Sequence, residues 1–195
     1  FNRDNVTLVD IRNAPIETFT ASGLRTTEAH YELDCVVVAT GFDALTGAVS
    51  AIDIHGRDGL KMRDAWAAGP RNYLGIMTAG FPNMFMTTGP GSCAVLFNMV
   101  AGNEHHVRWI ADAIMHVRKS GARTIEATPE AEDSWTEHVR DVANQTLFPQ
   151  ANSWYVGANI PGKPRVILLY LGGFRAYSRK CREVAETGYP GFAIA

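Results

Sequence analysis

Short apolar runs, each bounded by glycine, proline or polar residues, recur along the chain and predict β-strands. Residues 34–39 have the dense β-branched side chains typical of a strand that is buried on both faces, as in parallel sheets covered by helices. Residues 15–26 predict a hairpin, which residues 31–33 continue. Further short strands are predicted at residues 6–9, 51–54, 84–88 and 166–171.

Apolar residues at helical spacing predict three helices in the second half of the chain. Gly121 suits the position just after the end of the first helix. The apolar face predicted for this helix consists of Val107, Ile110, Ala111, Ile114 and Val117. The second helix follows Thr128 as N-cap, with Pro129 at its first position. Its predicted inward side chains are Trp135, Val139, Val142 and Ala143. The third helix is predicted at residues 174–187.

Residues 80–99 combine both patterns and form the strongest candidate for a ligand site. An apolar run at residues 84–88 leads into the turn Gly89-Pro90-Gly91-Ser92, and a second run at residues 93–99 leads into the first long helix. A strand, a tight turn and a buried helix start is the simplest interpretation. Such a turn aims backbone N–H groups at a ligand, so a cofactor is expected here. The alternative is an ordinary packing turn.

The turn formally matches the dinucleotide fingerprint G-x-G-x-x-A, but the match fails in its usual role. The fingerprint requires an acidic residue about 20 residues further on, at the end of a second strand. Here that distance falls at Asp112, inside a predicted helix. Cys93, close to the helix start, could have a lowered pKa. No histidine forms an evident motif with it, so a buried structural cysteine is the favoured interpretation.

Residues 150–164 predict a long loop, since they include two prolines and two glycines. Trp154 lies within this loop. A loop tryptophan needs a packed ring and a partner for its indole N–H. Trp154 is therefore either a plug that holds the loop to the body or a lid residue that packs on a ligand.

Composition narrows the class of protein without naming a chemistry. The 195 residues are 46% hydrophobic and 19% charged with a net charge of −2, which is typical of a soluble globular protein. That charge offers no basis for binding nucleic acid or an anionic membrane. The cysteines form no CxxC pair, and no metal-binding motif is present. We expect a cytoplasmic protein, and, because the chain starts at Phe1, a piece of a longer one.

Four motifs together carry a family resemblance. In order, they read DCVVVATGFDA, AAGPRNYLGI, GFPNMFMTTGPGS and NSWYVGANIPGKPR. This set resembles the C-terminal part of type I Baeyer–Villiger monooxygenases, with the phenylacetone and steroid monooxygenase branch nearest and cyclohexanone monooxygenase further away. The resemblance implies an α/β fold, the C-terminal portion of a flavoprotein with two Rossmann-like dinucleotide-binding domains. Residues 1–43 would finish the NADPH-binding domain, and residues 44–195 would form the returning half of the FAD-binding domain.

The resemblance also implies an activity. These enzymes use FAD, NADPH and O₂ to oxidise ketones to esters or lactones through a flavin peroxide. Their catalytic arginine and both dinucleotide fingerprints lie upstream, so no catalytic residue is expected in this chain. It would need the missing N-terminal part of the same enzyme and would not bind FAD stably alone. The alternatives are another flavin monooxygenase, N- or S-oxygenating, and a non-catalytic α/β binding module.

Individual positions follow from the same resemblance. Thr40, Gly41 and Asp43 match the ATGFD crossing between the two domains. Met99 matches a residue whose backbone contacts the flavin, and Trp154 matches the loop tryptophan that hydrogen-bonds NADP. The residues expected to line the ketone pocket are Val95, Leu96, Met99 and Trp154. Two departures from the nearer relatives, Cys93 and Phe97, are expected to reshape that pocket.

Overall fold

The computed structural model describes residues 1–93 and 97–195, which divide into two compact units, Phe1–Gly41 and Phe42–Ala195. Both strands and helices are present, so the α/β class is confirmed. The sheets of the described residues are two small antiparallel ones, not the large parallel sheet that residues 34–39 suggested.

The first unit is built around a three-stranded antiparallel sheet. Its strands are β1 (Ile16–Thr20), β2 (Gly23–Thr26) and β3 (His30–Glu32), in the spatial order β1-β2-β3. Each strand pairs with the next along the chain, as in a meander. The predicted hairpin and its continuation are therefore confirmed.

The strand predicted at residues 34–39 is wrong, because this segment joins no sheet in the part of the chain that the structure describes. Val37 is 83% exposed and Val38 is 71% exposed. Residues 6–9 likewise form no strand. An apolar run of the buried type needs neighbouring strands and covering helices. The described first unit supplies only its meander, so nothing within it buries this run.

The second unit begins with two short helices, α1 (Gly47–Ala51) and α2 (Met62–Ala65). A strand was expected at residues 51–54, but Ala51 ends α1 instead. The small core beside these helices consists of Met62, Trp66, Phe81 and Met86. Residues 84–88, the strand expected before the turn, form no strand either. Their backbone groups form isolated hydrogen bonds instead, for example from Met86 N–H to Ile76 C=O at 2.8 Å.

The longest helix, α3 (Met99–Lys119), begins at Met99, the last residue of the apolar run that was expected to lead into it. Asn98 is its N-cap, and the predicted cap at its other end is confirmed, since Gly121 has a left-handed φ of 77°. The predicted inner face is confirmed only in part: Val117 is buried and Ile110 packs partly buried against the core. Val107, Ala111 and Ile114 are exposed instead. The buried face consists of Gly102, His106, Trp109, Ala113 and Val117.

The next helix, α4 (Pro129–Asn144), agrees with its prediction. The Thr128 hydroxyl accepts a hydrogen bond from Ala131 N–H at 3.2 Å, which caps the first turn. Of the side chains expected to point inward, Trp135, Val139 and Ala143 are buried and Val142 packs partly buried against the core. Short 3₁₀ turns follow at Phe148–Gln150 and Trp154–Val156.

The last helix, α5 (Phe174–Glu186), confirms the third predicted helix and packs against α3. A second sheet pairs β4 (Ile125–Ala127) with β5 (Phe192–Ile194), antiparallel. These three-residue strands are too short for a periodic pattern to reveal. The main core contains residues from all three long helices, including Trp109, Ala113, Trp135, Val139, Tyr177 and Val184.

The strand predicted at residues 166–171 is reduced to a single parallel bridge, between Tyr170 and Cys93. Gly91 N–H donates to Leu168 C=O, and Tyr170 N–H donates to Ser92 C=O, each at 2.9 Å. This segment therefore lies directly beside the turn at residues 89–92.

Candidate active site

The predicted turn at residues 89–92 is present. Ser92 N–H donates to Gly89 C=O at 3.1 Å across Pro90 and Gly91. Gly91 has a φ of 73°, as the third residue of a type II turn requires. However, the N–H groups of Gly91 and Ser92 both bond to backbone carbonyls, to Leu168 and Gly89. The expectation that these amides point at a ligand is therefore wrong, because the chain itself uses them.

The turn packs tightly against residues 73–77, backbone to backbone. A Cβ atom on Gly75 would lie 2.5 Å from the Cβ of Ser92, and one on Gly89 would lie 2.5 Å from the carbonyl oxygen of Gly75. On the other side, the indole N–H of Trp135 donates to Gly91 C=O at 3.1 Å. The turn is thus a fixed part of the core that leads the chain toward α3.

The start of α3 offers a backbone donor near this turn, the N–H of Met99. The Asn98 side chain accepts from Val100 N–H at 3.0 Å and from Ala101 N–H at 3.2 Å. Within residues 1–93 and 97–195, no acceptor faces the N–H of Met99, which is half-buried. The N-terminus of a long helix carries a partial positive charge. This amide can therefore donate to an electron-rich group of a ligand.

Val95 and Leu96, the expected pocket residues, lie outside the described residues. Phe97, which follows them, stacks face to face on Phe174 at the start of α5, with ring centroids 3.9 Å apart and an angle of 4° between the rings. The ring of Phe97 therefore packs between the starts of two helices.

Cys93 is structural. It is 1% exposed, and burial raises the pKa of its thiol above the ordinary range. Gly102 of α3 lies against it, since a Cβ atom there would be 2.9 Å from the Cys93 sulfur. The alternative role as a nucleophile fails because burial disfavours the thiolate.

The matches to the domain crossing fall at the ends of both units. Thr40 and Gly41 are exposed residues at the end of the first unit. Asp43, in the second unit, forms an ion pair with Lys163 and accepts a hydrogen bond from the Thr46 hydroxyl at 3.3 Å. Lys163 was not among the predicted site residues, and its side chain is only 11% exposed. A lysine between glycine and proline in a functional loop was the available signal.

Trp154 begins the 3₁₀ turn Trp154–Val156 in the predicted long loop and is half-buried. Its ring meets that of Tyr155 edge to face, with centroids 4.4 Å apart. No acceptor for its indole N–H is found among the residues that the structure describes. One side of the ring is packed while its donor is free, so a plug and a lid are both compatible with this geometry.

A cavity of about 410 Å³ opens beside Gly91. Its apolar wall includes Trp135, Val139 and Val156, and its lining also includes three arginines. The arginines are Arg71, Arg140 and Arg165. Arg71 pairs with Asp133, and Arg140 pairs with Glu137. No cluster of metal-ligating side chains occurs in residues 1–93 and 97–195.

Comparison with known proteins gives the family. No protein-family model matches the chain. An acetone monooxygenase (methyl acetate-forming) from Gordonia sp. (strain TY-5) is 43% identical over 197 residues, covering 100% of the chain and 37% of the relative. A Baeyer–Villiger monooxygenase from Pseudooceanicola batsensis is 44% identical over 190 residues, covering 97% of the chain and 34% of the relative.

The chain is homologous to the C-terminal part of Baeyer–Villiger monooxygenases.

Solved structures agree with this assignment. An oxidised steroid monooxygenase bound to NADP is 53% identical with a TM-score of 0.87, covering 99% of the chain and 36% of that protein. OTEMO in complex with FAD and NADP is 41% identical with a TM-score of 0.90, covering 100% of the chain and 36% of that protein. The chain thus spans about a third of the Baeyer–Villiger relatives that it matches, and the predicted resemblance is confirmed.

Several large apolar side chains of this chain are exposed. They are Phe1, Leu8, Val37, Val38, Phe42, Val100 and Leu147, each more than two-thirds exposed. In the described residues, no helix is both long and apolar enough to cross a membrane.

Proposed function

We propose that this chain is the C-terminal part of an FAD- and NADPH-dependent Baeyer–Villiger monooxygenase, which oxidises ketones to esters or lactones with O₂. The observation that carries the proposal is the identity of 43% over the whole chain to an enzyme named for converting acetone to methyl acetate. Solved relatives that hold NADP, or FAD and NADP, support the cofactors. When bound, FAD supplies the redox chemistry that couples NADPH oxidation to O₂ activation.

Within this proposal, the start of α3 is the flavin-facing element. The Met99 N–H would donate to an electron-rich edge of the flavin, with the helix dipole favouring partial negative charge at that point. The amide lies at the helix start, the described residues provide no acceptor for it, and Met99 is half-buried, all of which fit this role. Val95 and Leu96 would line the ketone pocket together with Met99. Phe97 would support that wall through its stack on Phe174.

The loop at residues 150–164 would close the site. Trp154 would donate its indole N–H to NADP and shield the ketone pocket, which its free donor and half-buried ring support. Thr40, Gly41 and Asp43 would form the crossing from the NADPH-binding domain, residues 1–43, to the FAD-binding domain, residues 44–195. The exposed Val37, Val38 and Phe42 support a large contact with the rest of the enzyme.

The rest of the site would come from the upstream part of the same enzyme. It would supply the dinucleotide fingerprints and the catalytic arginine, so we assign no catalytic residue within this chain. The experiment that tests the function is to produce the complete protein, load it with FAD and follow NADPH oxidation with a panel of ketones. We expect ester or lactone product. Peroxide as the sole product across a broad panel, with full flavin occupancy, would contradict the proposal, and amine or sulfide oxygenation alone would favour another flavin monooxygenase.

A further inference from the structure

A chain of buried hydrogen bonds runs behind the turn at residues 89–92. Thr88 N–H donates to Nδ1 of His106 at 2.8 Å. Nε2 of His106 lies 2.6 Å from the hydroxyl oxygen of Tyr177, and that hydroxyl lies 2.6 Å from Leu74 C=O. His106 on α3 and Tyr177 on α5 are both 0% exposed. None of the roles assigned above uses this chain.

Only one proton arrangement satisfies every member of the chain. Because Thr88 supplies an N–H, Nδ1 of His106 must accept and carries no proton. The neutral imidazole therefore holds its proton on Nε2 and donates it to Tyr177. The Tyr177 hydroxyl then donates to Leu74 C=O, which can only accept. Burial lowers the pKa of His106 to about 4 and raises that of Tyr177, in keeping with a neutral network.

The two residues at the ends of this hydrogen-bond chain, Thr88 and Leu74, have an unfavourable backbone conformation. Thr88 has a φ of 49° and Leu74 a φ of 59°, which are left-handed values that branched side chains rarely adopt. Each of these residues precedes a glycine, Gly89 or Gly75, and the two glycines pack against each other: a Cβ on Gly89 would lie 2.5 Å from Gly75 O. The hydrogen bonds therefore fasten the two bends on which the turn rests.

We propose that His106 and Tyr177 are positioning residues of the cofactor site. They hold the bends at Thr88 and Leu74, and through them fix the turn at residues 89–92 relative to the start of α3, where Met99 offers its amide. This inference rests on the proposed function, since it assigns a purpose to the geometry of a flavin-facing wall. Neither side chain is exposed, so neither touches a ligand.

The competing explanation is that the chain only stabilises the fold, and the molecule contains a matched control for it. The indole N–H of Trp109 on α3 donates to Cys181 C=O on α5 at 2.9 Å. This bond is also buried and joins the same two helices, but it reaches neither bend. Loss of this bond should lower stability without moving the turn.

The variants test separately the two hydrogen bonds of His106, the one with Thr88 and the one with Tyr177. In His106→Gln, the side-chain amide lies near the former position of Nε2. This variant therefore keeps a hydrogen-bond partner for the Tyr177 hydroxyl and removes the acceptor of the Thr88 N–H. His106→Asn does the reverse, and Tyr177→Phe leaves both His106 and Leu74 without their partner. Each is made in the complete FAD-loaded enzyme beside Trp109→Phe. The readouts are Tm, FAD affinity, the visible flavin spectrum and the share of oxidised NADPH that ends as peroxide.

We expect His106→Gln and Tyr177→Phe to weaken FAD binding about tenfold, the factor that one net hydrogen bond supplies. We also expect a shifted flavin spectrum and a larger peroxide share well below Tm. Trp109→Phe should lower Tm by a similar amount with flavin signals like those of the wild type. If a strong variant does not fold, His106→Asn, which keeps the Thr88 bond, should fold and show the same changes to a smaller degree.

Two results would overturn the inference. The first is unchanged flavin binding and spectrum in His106→Gln, or in His106→Asn if the former does not fold, despite a lowered Tm. The second is an equal flavin effect in Trp109→Phe. Failure of the proposed function is distinct, because the wild-type enzyme would then fail to bind FAD or to form an ester before any substitution is made.

Discussion

His106 is a neutral histidine whose burial links the stability of the fold to pH. Its pKa falls from the ordinary 6.5 to about 4, chiefly because burial disfavours the charged ring and secondly because His105 is beside it. Between these two pH values, His106 is protonated in the unfolded chain and neutral in the folded chain. The stabilisation is therefore complete above the ordinary pKa and is lost as the pH falls toward 4.

We expect this group to account for about 3 kcal/mol of unfolding free energy between neutral pH and about pH 4. The measurement is urea unfolding of the wild type and of His106→Gln across that range. Gln does not titrate, so the difference between the two should shrink as the pH falls. Glu132 acts in the opposite direction, because burial raises the pKa of its carboxyl, but it is common to both proteins.

Trp109→Phe is the control for this measurement, since it removes a buried bond without removing a titrating group. Its loss of stability should stay constant over the same range. A constant difference between the wild type and His106→Gln would contradict the assignment of the pH dependence to His106.

At the scale of elements, an ion pair helps to hold the loop that carries Trp154. Lys163 pairs with Asp43, and its ammonium also lies 3.4 Å from Ala44 C=O. Asn159 of the same loop donates to Phe42 C=O at 3.1 Å. The Lys163 side chain is 11% exposed and that of Asp43 is 41% exposed, so solvent screens this pair only in part. The loop is thus tied to the last two residues of the crossing motif and to Ala44, which follows them.

We expect a double-mutant cycle of Asp43→Asn and Lys163→Met to show a coupling of about 1 kcal/mol. Either single change should speed proteolysis within residues 150–164 and alter Trp154 fluorescence. The charge swap Asp43→Lys with Lys163→Asp should restore part of the protection. The control pair, Arg140 and Glu137 on α4, is 60% and 66% exposed, and its cycle should give less than about 0.5 kcal/mol. Equal couplings in both cycles would mean that the tie is an ordinary surface pair.

The elements also show what local sequence could and could not predict. The start of α4 was predictable because its signals are local: Thr128 bonds to an amide three residues on. The inner face of α3 was not, because its buried His106 and Trp109 find their hydrogen-bond partners on α5, 71 and 72 positions along the chain. Apolar periodicity depends only on the residues within one helix, so it favours the apolar stripe and contains no information on such distant partners.

The candidate site likewise has features that local sequence could predict and features that it could not. Glycine and proline predicted the turn at residues 89–92 correctly, because turn geometry depends on the residues within it. The use of its amides could not be predicted, since Gly91 N–H bonds to Leu168, which is distant in sequence. Met99 entered through the family resemblance alone, and Lys163 was missed because its partner Asp43 lies 120 positions away.

At the scale of the whole molecule, the exposed apolar run in the first unit is the main departure from what a self-contained protein would show. Residues 34–39 have the composition of a buried strand, yet Val37 and Val38 are 83% and 71% exposed. The chain spans about a third of its relatives. Both observations have one explanation: in the complete protein, the remainder of the enzyme pairs with this run and covers it.

If so, one substitution in this run should lower stability strongly in the complete protein and only slightly in the 195-residue chain. In the complete protein we expect Val38→Asp to cost several kcal/mol, roughly the cost of burying an unpaired charge in place of an apolar side chain. In the 195-residue chain alone, the same change should cost less than about 0.5 kcal/mol, since the side chain is already in water. Thermal and urea unfolding of both forms give the comparison. Asn103→Asp, at an exposed polar position on α3, adds the same charge elsewhere and should be mild in both. A mild effect of Val38→Asp in the complete protein would mean that the run stays exposed there, and the contact proposed between this segment and the rest of the enzyme would have to lie elsewhere.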